Sequence, residues 1–220
     1  MSVQAGTFSI VAADPTTQEV GCAVQSKYFA IGAVTPWVRA GVGAVATQAM
    51  GVVARNGRRV LDALATNVDP GAAIDRALAD DGDRERRQLG AVAADGRAAA
   101  FTGRECVEWA GHLVEPGFAV QGNMLANADV LAAMQRVFLD TAGPLPERML
   151  AALEAGQAAG GDRRGQQAAV LVVEQLGAGE RSREGIDRIC DLRVDDHPEP
   201  IVELRRLLTL WRRWQAERDA

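Results

Sequence analysis

The sequence predicts an α+β fold in which two mostly antiparallel sheets lie face to face and helices cover their outer sides, a four-layer αββα sandwich. The strand and helix patterns come in blocks, in the order strands, two helices, strands, two helices, strands and one helix. Neighbouring strand patterns are joined by short, turn-like segments, which favours hairpins. Because strands do not alternate singly with helices, a parallel sheet with crossover helices is disfavoured.

The N-terminal third is predicted to be mostly sheet. Apolar and β-branched residues at 7–12 and 20–24 flank the turn sequence Asp14-Pro15, which is typical of a hairpin. Proline and glycine residues then delimit two further apolar runs, so we expect strands at 33–38 and 44–47.

The period of the apolar residues predicts the remaining elements. They are two helices over 55–80, a hairpin over 89–101, a strand at 118–121, two helices over 127–159, strands at 168–173 and 186–192, and a helix over 200–216. The pattern contains no linker, repeat or low-complexity segment. We therefore expect one domain over residues 7–220, preceded by a short propeptide or flexible tail at 1–6.

Composition excludes several classes of partner. The chain has 220 residues and a formal net charge of −5, so a basic surface for nucleic acid or anionic lipid is not expected. No apolar run approaches the roughly 18 residues that a spanning helix needs, and the first residues lack the basic start of a secretory signal. The three cysteines, Cys22, Cys106 and Cys190, are widely spaced and form no CxxC pair. A cytoplasmic protein without disulfides is predicted.

Lys27 is singled out by its rarity. It is the one lysine among 24 basic residues, the other 23 being arginine. A codon bias toward arginine accounts for the excess. A lysine that persists against such a bias is a candidate for chemistry that arginine cannot perform, because burial can lower the pKa of its compact ammonium.

Thr7 follows a glycine at the head of the first predicted strand. A threonine hydroxyl is a weak nucleophile unless a base lies beside it, and an N-terminal threonine can use its own α-amine as that base. The usual pKa of such an amine, near 7.7 to 8, suits neutral pH. Cutting the bond between Gly6 and Thr7 would expose this amine. The alternative is a structural threonine that begins a strand after a loose tail.

Several long segments resemble the family called domain of unknown function 1028, which is placed in the N-terminal-nucleophile (Ntn) hydrolase superfamily. The likeness covers almost the whole chain beyond residue 6. It is carried by TFSIVAADP at 7–15, GCAVQSKYFAIGAVTPWVRAGVGAVATQA at 21–49, FAVQGNML at 118–125, AALEAGQAAGGDRRGQQAAVLVV at 151–173 and DLRVDDHPEPIVELRRLL at 191–208. The resemblance implies an Ntn-hydrolase-like sandwich similar to proteasome subunits.

The resemblance also implies catalytic roles for individual residues. Thr7 would be the nucleophile, and Lys27 would lower the pKa of its freed amine and help to hold the reacting oxygen. Asn123 and the backbone of Gly122 would donate hydrogen bonds to a tetrahedral oxyanion. Asp162 would orient the amine. Family members often begin with Met directly before this threonine, whereas the present chain has MSVQAG there.

Three polar residues are expected near Thr7 at the same sheet edge: Gln25, Ser26 and Gln48. They would either contact a polar substrate or satisfy backbone groups. Two other motifs have simpler interpretations than ligand binding. The GxGxxA pattern at 41–46 is followed by Asp62, as in dinucleotide-binding proteins, but a tight turn between strands is favoured. The Asp195-Asp196-His197-Pro198 segment is interpreted as a structural turn before the last helix and not as a metal site.

The function predicted from these features is that of an Ntn-type amidohydrolase acting on a small amide, ureido or N-acyl compound. Its mechanism requires no metal and no organic cofactor. The alternative is a non-catalytic protein of the same fold that binds a small molecule or another protein and leaves Thr7 internal. We expect a homo-oligomer, and specifically a dimer, because proteins with related folds form such assemblies.

Overall fold

The computed structural model describes residues 6–50, 53–181 and 185–218. Ten strands lie in these ranges: β1 Thr7–Asp14, β2 Glu19–Ser26, β3 Pro36–Arg39, β4 Gly43–Ala49, β5 Arg87–Ala93, β6 Ala98–Thr102, β7 Gly111–Glu115, β8 Phe118–Asn123, β9 Ala168–Gln175 and β10 Arg188–Val194. Six α-helices accompany them: α1 Ala54–Leu64, α2 Pro70–Leu78, α3 Asp129–Asp140, α4 Leu145–Ala158, α5 Ala178–Arg181 and α6 Pro200–Arg218. The predicted tail at 1–6 lies outside the described residues, except for Gly6.

The strands form two sheets. The larger sheet has six strands in the order β10-β9-β2-β1-β8-β7, and the smaller sheet has four in the order β3-β4-β5-β6. Every neighbouring pair is antiparallel. The α+β class and the antiparallel sheets predicted from the sequence are therefore confirmed. The first strand lies near the middle of the larger sheet, where neighbours on both sides hold its ends.

Three apolar clusters show how the sheets and helices are layered. One cluster joins the larger sheet to α3, α4 and α6, and includes Phe8 and Ile10 of β1. A second lies between the two sheets and includes Val11 and Ala13. A third joins the smaller sheet to α1 and α2. Because successive residues of β1 enter different clusters, one face of this strand meets helices and the other meets the smaller sheet.

Most elements begin and end close to their predicted positions; the exceptions are the strand expected at 33–38, strand β7 and the short helix α5, which was not predicted. The strand expected at 33–38 begins only at Pro36, because a 3₁₀ turn occupies Ile31–Ala33. Strand β7 was not predicted. Its residues alternate between half-buried and exposed at the edge of the larger sheet, and glycine and proline bound it, so its apolar pattern is weak. Within the described residues, no helix combines the length and apolar character needed to cross a bilayer.

Candidate functional site

Thr7 lies at the head of β1 between two predicted site residues. It pairs with Ser26 of β2 on one side and with Asn123 of β8 on the other. Thr7 shares a strand face with Val11 and Ala13, so its side chain is directed toward the smaller sheet. Three candidate residues thus lie side by side at one end of the larger sheet.

The hydroxyl of Thr7 takes part in a short chain of hydrogen bonds. Thr7 Oγ1 donates to Ser26 Oγ at 3.0 Å, and Ser26 Oγ donates to the carbonyl oxygen of Gly6 at 2.5 Å. Both side chains are fully buried. Ser26 therefore connects the hydroxyl of Thr7 to the carbonyl of the peptide bond that precedes Thr7.

A guanidinium contacts the same carbonyl from the loop between α4 and β9. Arg164 Nη2 donates to Gly6 O at 2.8 Å and also to Asp162 Oδ2 at 2.6 Å. The carboxylate of Asp162 is fully buried. It also accepts a second guanidinium bond, from Arg164 Nε to Oδ1 at 3.1 Å, and one from the backbone N–H of Lys27 to Oδ2 at 3.2 Å. Asp162 thus holds Arg164 against the Gly6 carbonyl through charge-assisted hydrogen bonds.

Lys27 contacts this site through its backbone N–H and not through its side chain. Its ammonium donates to the carbonyl oxygen of Gln166 at 3.0 Å on an exposed surface. Alternation along the chain explains the direction, because Ser26 shares the inner face with Thr7 and the next residue points away. The electrostatic role predicted for the Lys27 ammonium stays a prediction, and in this arrangement the positive group at the Gly6 carbonyl is Arg164.

A network of buried amides lies between the sheets next to Thr7. Gln48 Nε2 donates to Gln88 Oε1 at 2.9 Å, and Gln48 Oε1 accepts from Ser9 Oγ at 2.6 Å. Asn123 Nδ2 donates to the same Gln88 oxygen at 2.9 Å. Gln88 Nε2 in turn donates to the carbonyl oxygen of Gly122 at 2.8 Å. The amide predicted for an oxyanion hole is therefore directed at Gln88, and the network fixes the strands around Thr7.

Gln25 lies at the same end of the sheet but on the other face. It alternates with Ser26 and shares its face with Ala23, which packs in the cluster beneath the helices. Both amide atoms of Gln25 are buried without a hydrogen-bond partner among the described residues. Of the three residues predicted to contact a substrate, Ser26 and Gln48 therefore share the inner face with Thr7, and Gln25 does not.

Two residues of this region were missed by sequence reasoning. Arg164 follows Asp162 in the quoted segment GGDRRGQQ, but an arginine excess gave no reason to choose it. Gln88 is a buried polar residue near the start of β5, and only the packing of the two sheets brings it to Asn123.

The two motifs with simpler interpretations occupy turns. Gly41 and Gly43 have φ angles of 70° and 152° around the β3–β4 turn, where a left-handed or extended glycine conformation is required. Asp62 forms an ion pair with Arg39 at 3.0 Å. Before α6, His197 Nδ1 accepts from the backbone N–H of Glu199 at 3.0 Å. In the described part of the chain, no three His, Cys, Asp or Glu side chains gather as metal ligands would.

Fold and site together define an α+β protein of two antiparallel sheets with a buried threonine at the head of a central strand. The chain belongs to the family described as "Family of unknown function (DUF1028)", whose model matches residues 7–204. A crystal structure of a Silicibacter pomeroyi protein of that family is 32% identical in sequence, with a TM-score of 0.84. The match covers 93% of the present chain and 85% of that protein. Among curated proteins, none matches.

Proposed function

We propose that the protein is an Ntn-type amidohydrolase whose nucleophile is Thr7, set free by cleavage of the bond between Gly6 and Thr7. The two antiparallel sheets with helices on their outer sides support an Ntn-hydrolase-like sandwich. The position of Thr7 at the head of a central strand supports it as the nucleophile. Its hydroxyl also lies beside the bond that must break.

The observation that carries this proposal is the chain from Thr7 through Ser26 to the Gly6 carbonyl. In the cleavage, Thr7 Oγ1 attacks the Gly6 carbonyl carbon. Its proton passes to Ser26 Oγ, which gives its own proton to the carbonyl oxygen. Arg164 stabilises the charge that develops on that oxygen. Collapse re-forms the carbonyl and breaks the bond to the Thr7 nitrogen, which takes up the proton that the oxygen releases. The ester that remains is hydrolysed by water to the free Thr7 hydroxyl and the carboxylic acid of Gly6.

Turnover of an external amide repeats these steps on the freed residue. The α-amine accepts the proton of Thr7 Oγ1 as the oxygen attacks the substrate carbonyl. The C–N bond of the substrate breaks, the amine leaves with the proton, and an ester to Thr7 remains. Water then adds to the ester carbonyl, the acid departs, and Oγ1 regains a proton.

Other residues have supporting roles in the proposal. Asp162 holds Arg164 in place and accepts from the N–H of Lys27. The ammonium of Lys27 lowers the pKa of the freed amine, which requires its side chain to leave Gln166. Asn123 and Gly122 order the neighbouring strand and supply donors to the oxyanion once the Gln88 contact adjusts.

The substrate class is a small amide, ureido or N-acyl compound, and neither metal nor organic cofactor enters the steps above. Assembly as a homodimer and a cytoplasmic location remain part of the proposal.

Intact mass measured during incubation of the purified full-length chain tests the proposal. The parent is expected to lose residues 1–6, and Thr7→Ala to keep them because it lacks the attacking oxygen. A parent that stays intact would contradict the processed enzyme and favour the non-catalytic binding protein. Incubation with N-acyl amino acids, carbamoyl compounds and short peptides then identifies the substrate, with Thr7→Ala as the control for turnover.

A further inference from the structure

The space around Gly6 excludes a side chain. A Cβ atom added to Gly6 would lie 2.8 Å from Met124 Cβ, 2.9 Å from Asp162 Oδ2 and 3.0 Å from Arg164 Nη2. The separation from Met124 Cβ is well inside the 3.5–4.0 Å at which two carbon atoms attract each other. Gly6 is not among the residues with a left-handed φ angle, so the obstacle to a larger residue is steric and not conformational.

The wall that meets this atom is held by backbone bonds. Met124 has a φ angle of 52°, and its N–H donates to the carbonyl oxygen of Val107 at 2.9 Å. Its carbonyl accepts from the N–H of Arg163 at 3.0 Å, and the next residue, Leu125, forms a bridge with Asp162. Met124 Cβ is attached directly to this bonded backbone and cannot move aside independently, whereas Asp162 Oδ2 and Arg164 Nη2 are side-chain ends that are hydrogen-bonded to each other.

The ester formed during self-cleavage is itself an acyl-enzyme. It joins the Gly6 acyl group to Thr7 Oγ1, as an acyl group from a substrate would be joined during turnover. The same pocket therefore receives the acyl carbon of the propeptide and that of an external amide. Ser26 and Arg164 bind the carbonyl oxygen, while Met124 and Asp162 face the adjacent carbon.

We propose that this pocket restricts the enzyme to acyl groups that are unbranched at the atom next to the carbonyl carbon. Acetyl, glycyl and carbamoyl groups meet this condition, whereas alanyl, valyl and isobutyryl groups do not. The proposal rests on the proposed function and specifies its substrate class on the acyl side.

Self-cleavage tests the pocket without knowledge of the natural substrate, because residue 6 supplies the acyl group in that reaction. The parent, Gly6→Ala and Gly82→Ala are compared by intact mass over time. Gly82 is a matched control, since a Cβ added there meets nothing within 4 Å. We expect Gly82→Ala to cleave like the parent and Gly6→Ala to cleave at least about tenfold more slowly, with an unchanged melting temperature.

Each outcome has a distinct meaning. Equal cleavage of all three chains would overturn the pocket proposal and leave the proposed function standing. No cleavage in the parent would refute the proposed function and the pocket with it. As a second measurement, a chain with Met directly before Thr7, processed by ordinary methionine removal, is offered glycyl and alanyl amides of one amine. A glycyl preference of about tenfold or more supports the pocket, and equal rates overturn it.

Discussion

Ser26→Ala is the substitution that most sharply separates the proposed proton path from a purely structural hydroxyl. Ser26 Oγ is the acceptor for Thr7 Oγ1 and a donor to the Gly6 carbonyl at 2.5 Å. Loss of one hydrogen-bond donor to a developing oxyanion costs about 10²- to 10³-fold in rate. Because the substitution also removes the path for the Thr7 proton, we expect self-cleavage to slow by at least about a hundredfold.

Ser9→Ala is the matched control for this experiment. Ser9 is also a buried serine on the inner face of the larger sheet, but its hydroxyl bonds to Gln48 and Gln121 and not to Gly6. Each substitution strands a buried polar partner, so both are expected to lower the free energy of unfolding by about 1 to 3 kcal/mol. The assay is a time course of intact mass at matched temperature. The proton path would be refuted if Ser26→Ala cleaved itself at the rate of the parent, or if Ser9→Ala were slowed as much as Ser26→Ala.

Three further substitutions probe the site and its support. Arg164→Lys keeps a positive charge but loses the paired guanidinium bonds to Asp162. Self-cleavage, followed by intact mass, is expected to slow by about tenfold or more. An unchanged rate would contradict the role of Asp162 in holding Arg164 against the Gly6 carbonyl. Lys27→Ala is expected to lose turnover while its melting temperature stays within about 2 °C, because its side-chain contact is exposed; a collapse in stability would make it structural. The hydrogen bond from the buried Arg87 guanidinium holds the pKa of Asp81 well below its usual range. The ionised carboxylate therefore stabilises the fold above about pH 4, and this contribution to the free energy of unfolding is lost as the pH falls through the lowered pKa. Asp81→Asn should therefore lower the free energy of unfolding by about 3 kcal/mol at pH 7, measured by urea titration. The difference from the parent should become smaller below about pH 4. A difference that does not change with pH would contradict the ion pair as the source of the stabilisation.

The register of the first hairpin was within reach of the sequence. Asp14 pairs with Glu19 at the turn, and each step back along β1 is one step forward along β2, so Thr7 must meet Ser26. The turn sequence predicted the hairpin but not the closing pair. A shift of one residue in that closing pair would have placed Lys27 opposite Thr7, with the Lys27 side chain on the same face of the sheet as that of Thr7.

Contacts made by distant loops were beyond the sequence pattern. Arg164 lies 158 positions from the carbonyl it contacts, and the bridge between Leu125 and Asp162 that positions its loop has no periodic signal. The amide of Asn123 likewise finds Gln88 only because two sheets pack against each other. Sequence periodicity predicts which residues form strands and helices, whereas such contacts depend on how those elements are arranged in space.

The proposed mechanism requires that the backbone nitrogen of Thr7 becomes a free amine. N-terminal sequencing of the full-length protein after incubation measures this directly. We expect the sequence to read Thr-Phe-Ser-Ile from the first cycle. A chain that still reads from Met1 or Ser2 after prolonged incubation, while remaining folded, would contradict it.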